Sequence, residues 1–494
     1  MINPGRLWLC IACLISTEPG AVRAQGTLEG YCWPLSAAPG SSINFCLSGQ
    51  GSTSVYFYRH KANASGLTSI PLGSTNVVTS LQVITDTSAR DGCGWTNSFT
   101  LLIPSNWVSG MYSARCTNSA AQTFWITFVV KPNPGQRGRI AALANINTWN
   151  AYNSWGGGSK YDGRAHLSLL RPNSEVSPVS GALHLARAEL WMLGWFEDHG
   201  YTPDLYTDLD FHNGVGLQDY KCLVIHTHPE YWSLQMYANL KNWLNAGGCV
   251  IYLGGNGIYE DSEYTPDQTG MIFLAGVENG PRDAAMFRNM YPPMSERMLL
   301  GEGCEIDIYA LWAGFQALQA SHPFFQGTGL VNGNAFGQSG LNGGGASGWE
   351  VDTIGPGSPA NTIVLARGLN YTDGLQGGDM TYYAHPAGGF VFGTGSISFG
   401  GSLVVDPALQ QIVSNALNEA LADPPQLKLA SISGGWAQLK IRGRPSMHYL
   451  IQQSTDLNST NWEDIALLLG DGTTQTVLTP CPANAAFYRS VPKP

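Results

Sequence analysis

The sequence predicts a multi-domain chain: an N-terminal β-sandwich over residues 27–131, a central α/β domain over 138–424 and a C-terminal β-sandwich over 425–494. Three observations lead there. The first stretch alternates short β-type runs with turns and shows no helical period. From Ile140 onward, short apolar strands alternate with amphipathic helical stripes, which is the pattern of a parallel sheet covered by helices. After residue 424 the β pattern returns. A length of 494 residues is enough for three such units.

Composition narrows the function classes. Hydrophobic residues make up 44%, aromatics 11% and charged residues only 12%, the reverse of the balance that keeps a chain disordered. The 60 glycines follow no collagen period and read as turns between strands. Lys and Arg total 25 against 35 Asp and Glu, a formal net charge of −10, and no basic cluster occurs. A nucleic-acid partner needs a basic footprint, so that class is set aside.

Residues 1–24 have the form of an export signal: Arg6, then the apolar run Leu7 to Ile15, then Val22, Arg23 and Ala24 as a small-residue cleavage site. The run is too short to span a bilayer, and no later stretch reaches about 20 apolar residues. A secreted or periplasmic protein is expected. Ten cysteines, less Cys10 and Cys13 in the leader, leave eight, with Cys32/Cys46 and Cys93/Cys116 expected as disulfides within the first β unit.

That unit carries β-type runs at 52–58 (STSVYFY), 98–103 (SFTLLI) and 123–130 (TFWITFVV). Residues 131–138, KPNPGQRG, break helix and sheet alike and read as a linker. Leu183, Ala186, Leu190, Leu193 and Trp195 then form a helical stripe closed by His199 and Gly200. A strand over 204–211 follows, and a buried strand starts at Cys222. Ser233 caps a helix carrying Tyr237, Leu240, Trp243 and Leu244 on one side. A second buried strand runs from Cys249 into Gly254. Further on come glycine-rich loops, a late strand at 389–395 and a helix over 407–421. The last unit, with runs at 437–441 and 448–454, has the look of an accessory module on exported proteins.

No G-x-S-x-G elbow, HExxH or Walker A loop is present. Cys222 and Cys249 open their strands, the wrong end of a sheet for a nucleophile. Open α/β sheets bind ligands at strand C-terminal ends, here His226-Thr227-His228-Pro229-Glu230 and Gly254-Gly255-Asn256. His226, His228 and Glu230, at alternate positions, share one face if the chain stays extended, which suits metal or acid–base chemistry. The alternative is that His226 is a core histidine and Glu230 caps the helix near Ser233. Asp208, Asp210 and His212 also alternate ligand types, and there the capping reading is weighed above the ligand reading. Residues 147–161, NTWNAYNSWGGGSKY, fit an aromatic-walled polar site or aromatics covering a sheet edge.

Taken together in order and spacing, "NTWNAYNSWGGGSKY", "YTDLDFH", "HTHPEYW" and "GGNGIY" resemble the large (β) subunit of N,N-dimethylformamidase and its homologues. The resemblance is closest over 140–259, looser to about 421, and reaches back through the sandwich to "SGMY" at 109–112; the C-terminal module lies beyond it. It implies an amidohydrolase with mononuclear iron(III) held by two tyrosines and a glutamate, in a domain resembling class I glutamine amidotransferases. Glu230 matches the glutamate ligand, Tyr152 the first tyrosine and Tyr112 the second, while His228 and Asn256 match residues lining the site. The family's further catalytic glutamate falls around Ala366 to Asn370, where this sequence has none. A small amide substrate and a small accessory subunit or homo-oligomer are the implied partners. Two other readings stand beside this one. One is a non-catalytic exported surface or carbohydrate-binding protein; the other is a zinc hydrolase using His226, His228 and Glu230.

Overall fold

The computed structural model describes residues 27–274, 285–309, 311–372, 375–423, 425–481 and 486–493; the leader expected over 1–24 lies outside them. The N-terminal unit is a sandwich. A three-stranded sheet orders Glu29–Trp33, Ser42–Ser48 and Phe99–Leu102. A five-stranded sheet orders Ser36–Ala37, Thr123–Val130, Gly110–Asn118, Gly51–Asn63 and Gly66–Thr79. Strand Gly51–Asn63 shows how period two builds the packing. Thr53, Val55 and Phe57 are buried on one face, with Val55 and Phe57 in a core shared with Phe45 and Phe128. His60 and Ala62 are buried on the opposite face, where helix Ala186–Asp198 of the next domain packs. Gly194 permits that approach: a Cβ there would stand 1.8 Å from the Ala62 carbonyl oxygen.

The disulfides expected from the sequence are not formed, and all eight cysteines are free thiols. Register explains it. Cys32 pairs with Phe45 and Tyr31 with Cys46, so Cys32 and Cys46 face opposite sides of their sheet. Cys116 shares the sandwich core with Cys32, whereas Cys93 packs beside Cys46, Trp95 and Trp155. Each expected pair is thus split between two cores. The segment expected as a linker is tied to the α/β domain, by Lys131 to Asp210 at 2.6 Å and by Arg137 to Asp219.

The central domain is built on a nine-stranded sheet in the order Asp204–Thr207, Ile140–Ala144, Cys222–Thr227, Cys249–Gly254, Phe390–Gly393, Asp379–Ala384, Ile363–Gly368, Phe315–Ala317, Ala335–Phe336. The first five are parallel and the rest antiparallel. The sequence reading of a parallel sheet holds for these five; between Cys249–Gly254 and Phe390–Gly393 the chain builds the other four strands of the sheet, which lack helical crossovers and turn back on their neighbours. Alternate residues face two helical layers. Ala142, Val224 and Ile251 pack towards the layer of Ala186–Asp198 and Pro407–Leu421. Ala141, Leu223 and Val250 pack towards Leu234–Asn245. Ser233 caps that last helix by accepting from the Met236 N–H at 3.2 Å. The strand expected over 204–211 stops at Thr207, because Thr207 and Asp210 form a capping box that starts helix Asp208–His212.

Strands Lys428–Ser433, Trp436–Arg442 and Thr474–Pro480 form one C-terminal sheet, and Glu463–Leu469, His448–Ser454 and Phe487–Lys493 a second. This unit is joined to the central domain rather than appended to it. Arg444 donates to the Gly388 carbonyl at 2.7 Å and to Glu419, and Tyr382 donates to the Pro445 carbonyl at 2.6 Å. Ile441, Tyr449 and Ile451 belong to the same continuous core as the sheet.

Candidate active site

Ile140–Ala144 lies between Asp204–Thr207 and Cys222–Thr227, so the chain leaves it towards one edge and later resumes on its other side. Such a reversal opens a crevice at the strand C-termini. The segments leaving these two strands meet there. Asn145 donates to the His226 carbonyl at 2.9 Å, Asn147 to the Tyr231 carbonyl at 3.0 Å, and the Thr148 hydroxyl accepts from the Glu230 N–H at 3.2 Å. The amides of "NTWN" therefore fasten the "HTHPEYW" strand end. Glu189, reaching in from helix Ala186–Asp198, accepts from the Trp149 indole at 2.7 Å. Burial raises its pKa to about 7 despite these hydrogen bonds.

Thr227 has a φ of 62°, which interrupts the extended alternation expected for this segment. His226 consequently stays apart, fully buried, with Nδ1 3.1 Å from the Thr227 hydroxyl. Burial lowers its pKa to about 4, so it is a neutral core histidine. Glu230 does not cap the following helix, since Ser233 does. His228 and Glu230 instead face each other, with Nε2 3.2 Å from Oε2.

Around them the site closes. The Tyr161 hydroxyl donates to Glu230 Oε2 at 3.2 Å and the Tyr152 hydroxyl to the same oxygen at 3.4 Å. His228 Nε2 is also 3.1 Å from Glu350 Oε2, which accepts from Asn256 Nδ2 at 2.7 Å. Asn256, at a φ of 52°, is held by its own N–H donating to Asp352 Oδ1 at 2.7 Å. The imidazole of His184 packs 4.5 Å from the Tyr152 ring and 5.2 Å from Trp349. Burial opposes a charge on His228, but Glu350 and Glu230 outweigh it and raise its pKa to about 10. Burial alone would raise Glu230; His228 and Lys160 reverse that and lower it. Tyr152 and Tyr161 are pushed well above the usual phenol value, first by burial and then by Glu230.

Of the residues expected from the sequence, Tyr152, His228, Glu230 and Asn256 come together here. Tyr112 does not. It lies in the sandwich core opposite Phe128, stacked on Trp107 at 4.9 Å, with its hydroxyl donating to the Val108 carbonyl at 2.7 Å. The second tyrosine hydroxyl beside Glu230 is that of Tyr161. Two carboxylate and phenol contributions escaped the sequence reading, Glu350 and the role of Tyr161. Glu350 is the first acidic residue after the glycine-rich run 339–348, and it opens strand Glu350–Thr353, which also carries Asp352.

Tyr152, Tyr161 and Glu230 are three oxygen donors converging on one spot, and such donors suit a hard cation. A cation there would offset the repulsion that keeps two phenols protonated beside a carboxylate. His228 Nδ1 and Asn256 Oδ1 are buried nearby without hydrogen-bond partners. Among the described residues, no group of three or more His, Cys, Asp or Glu side chains is arranged to hold a metal, so the set offered by His226, His228 and Glu230 is not assembled.

The model of the family described as N,N-dimethylformamidase beta subunit-like, C-terminal, matches residues 54–413. The N,N-dimethylformamidase beta subunits of an Alcaligenes species and of Paracoccus aminophilus are each 24% identical to this chain over 427 residues, covering 68% of this chain and 55% of the relative. The chain spans about half the length of these curated relatives. All the converging residues, from Tyr152 to Asp352, fall inside the matched span, and the chain belongs to the N,N-dimethylformamidase beta subunit-like family.

Proposed function

We propose that this protein is an exported amidohydrolase that cleaves the C–N bond of a small amide, with one iron(III) held by Tyr152, Tyr161 and Glu230. The observation that carries the reading is the convergence of two tyrosine hydroxyls on Glu230, beside an imidazole shared by two carboxylates. Bound there, the metal supplies Lewis acidity towards a carbonyl oxygen and water. The chain's own groups manage the protons. Glu350 takes a proton from the attacking water as the new C–O bond forms, oriented by its hydrogen bond from Asn256. His228, held protonated between Glu230 and Glu350, gives its proton to the leaving nitrogen as the C–N bond breaks. The proton on Glu350 then passes across 3.1 Å to His228 and restores both groups. In this scheme Glu350 is the base, and His228 serves as the acid.

The relatives are named as subunits. We extend that to an assembly with a small accessory subunit or with copies of this chain. We extend the family reading likewise to a central domain resembling class I glutamine amidotransferases. Elemental analysis and a visible spectrum of the purified protein test the proposal, followed by amine release from a panel of small amides that includes N,N-dimethylformamide. About one iron per chain, a phenolate charge-transfer band and loss of both in Glu230→Ala but not in Glu263→Ala are expected. A colourless protein holding zinc, or equal iron in the two variants, would overturn it.

A further inference from the structure

A buried ion pair stands next to this site without belonging to it. Lys160 and Glu260 pair with side chains 6% and 1% exposed. A pair so deeply buried gives back in attraction little more than it loses in hydration, so stability alone does not account for it. Its geometry points towards Tyr161. The Lys160 ammonium also donates to the Tyr231 hydroxyl at 3.1 Å and lies 4.6 Å from the centre of that ring. The Tyr231 hydroxyl is in turn 2.8 Å from the Tyr161 hydroxyl. Tyr161 reaches Glu230.

Both arms of this chain are fixed by backbone. Ser159 and Asp162 form a capping box on the turn Lys160–Asp162, which fixes the backbone from which Lys160 reaches Glu260 and Tyr161 reaches Glu230. Strands Tyr231–Trp232 and Glu260–Tyr264 are paired in parallel, with Tyr231 opposite Glu260. None of the four side chains needs to move for the connection to exist.

We propose that Lys160 and Glu260, acting through Tyr231, hold a hydrogen bond on the Tyr161 oxygen and so fit Tyr161 to bind a hard trivalent cation. The proposal rests on Tyr161 being a ligand. A tyrosine that ligates has given up its hydroxyl proton, so the 2.8 Å contact with Tyr231 then contains one hydrogen, and it belongs to Tyr231. The Tyr231 oxygen already accepts from Lys160, which directs its own hydrogen onward. A donor aimed at a phenolate lowers the energy of its lone pairs, and it orients the ligand as outer partners do at metal sites. Lys160, Tyr231 and Glu260 are positioning residues.

Two consequences follow at fixed pH. Removing the donor raises the phenolate lone-pair energy, so charge transfer to iron(III) moves to longer wavelength. Loss of an outer partner also weakens metal retention by about 10–100-fold. The experiment compares full-length protein with Tyr231→Phe, with the double variant K160M/E260Q, which removes both charges together, and with Tyr237→Phe. Tyr237 is a buried tyrosine elsewhere, whose hydroxyl donates to the Ser295 carbonyl at 3.2 Å. Band position and iron retained against a chelator are read for each. Tyr231→Phe and K160M/E260Q are expected to shift the band to longer wavelength and release iron more readily, with Tyr237→Phe unchanged. If Tyr231→Phe does not fold, the double variant carries the test. A band and retention unchanged from wild type in a folded variant would overturn the relay while leaving the ligand assignment standing. A wild type that binds no iron and has no band would overturn both.

Discussion

Exchanging one hydroxyl in each of two tyrosines separates the two places from which a second phenolate could come. Tyr112→Phe keeps the ring stacked on Trp107 at 4.9 Å and removes a single hydrogen bond to the Val108 carbonyl. Val108 is 56% exposed, so its carbonyl finds water, and the loss is about 1 kcal/mol of stability with no change in bound metal. Tyr161→Phe changes a residue that is half exposed as a whole although its hydroxyl end is buried, so the fold survives, and it removes an oxygen 3.2 Å from Glu230. Losing a direct ligand costs at least the roughly 10–100-fold in affinity that an outer partner does, or about 1.4–3 kcal/mol. Iron per chain after dialysis against a chelator, read with the visible spectrum, measures both. Iron lost from Tyr112→Phe and retained in Tyr161→Phe would refute the placement of the site around Glu230, Tyr152 and Tyr161.

Three further outcomes are expected. Gly194→Ala would gain up to about 1 kcal/mol in an isolated helix, but here the Cβ meets the Ala62 backbone, so a loss of at least 1–3 kcal/mol in thermal melting is expected; a stabilised variant would show that the sandwich does not dock there. Burial lowers the His60 pKa from 6.5 to about 4, so the folded state resists protonation: its stabilising share is whole above pH 6.5 and falls by up to about 3 kcal/mol as the pH drops to 4. His60→Gln should flatten melting temperature against pH in that window, and an unaltered slope would remove His60 as its cause. Arg444→Met leaves Glu419 buried beside Arg442 alone and should cost about 3–5 kcal/mol, with the C-terminal unit and central domain melting at lower temperature together; separate melting of the C-terminal unit would contradict a shared core.

Local signals in the sequence carried much of the architecture. Ser233 ahead of a stripe at Tyr237, Leu240 and Leu244 gave the helix its start, and Pro407 to Leu421 was readable from the same rule. Glu230 was readable because it lies just past a buried strand, and Tyr152 only through the resemblance of the motif that carries it, since a short helix separates it from strand Ile140–Ala144. Three features were not. The antiparallel half of the sheet has short strands whose pairing depends on distant partners. The turn at Thr227 places a β-branched residue in a conformation that favours glycine, so nothing in "HTHPE" announces it. Glu350 sits 120 residues from Glu230 in sequence and 3.1 Å from His228 in space, a relation that spacing cannot express. Tyr112 carries the opposite lesson: a tyrosine in a matching motif, "SGMY", was taken up by the sandwich core.

The left-handed residue at Thr227 also acts as a sorting device. By turning the chain over once, it assigns two histidines that are neighbours in a motif to separate environments, one dry and neutral, the other flanked by carboxylates. A non-glycine residue in that conformation gives up roughly 1–2 kcal/mol, part of which the contact between its hydroxyl and His226 offsets. Among related chains, the residue between the two histidines therefore becomes diagnostic. Where it can adopt the left-handed turn, the pair divides its labour as here; where the strand runs straight, both imidazoles arrive on one face and a different metal chemistry opens.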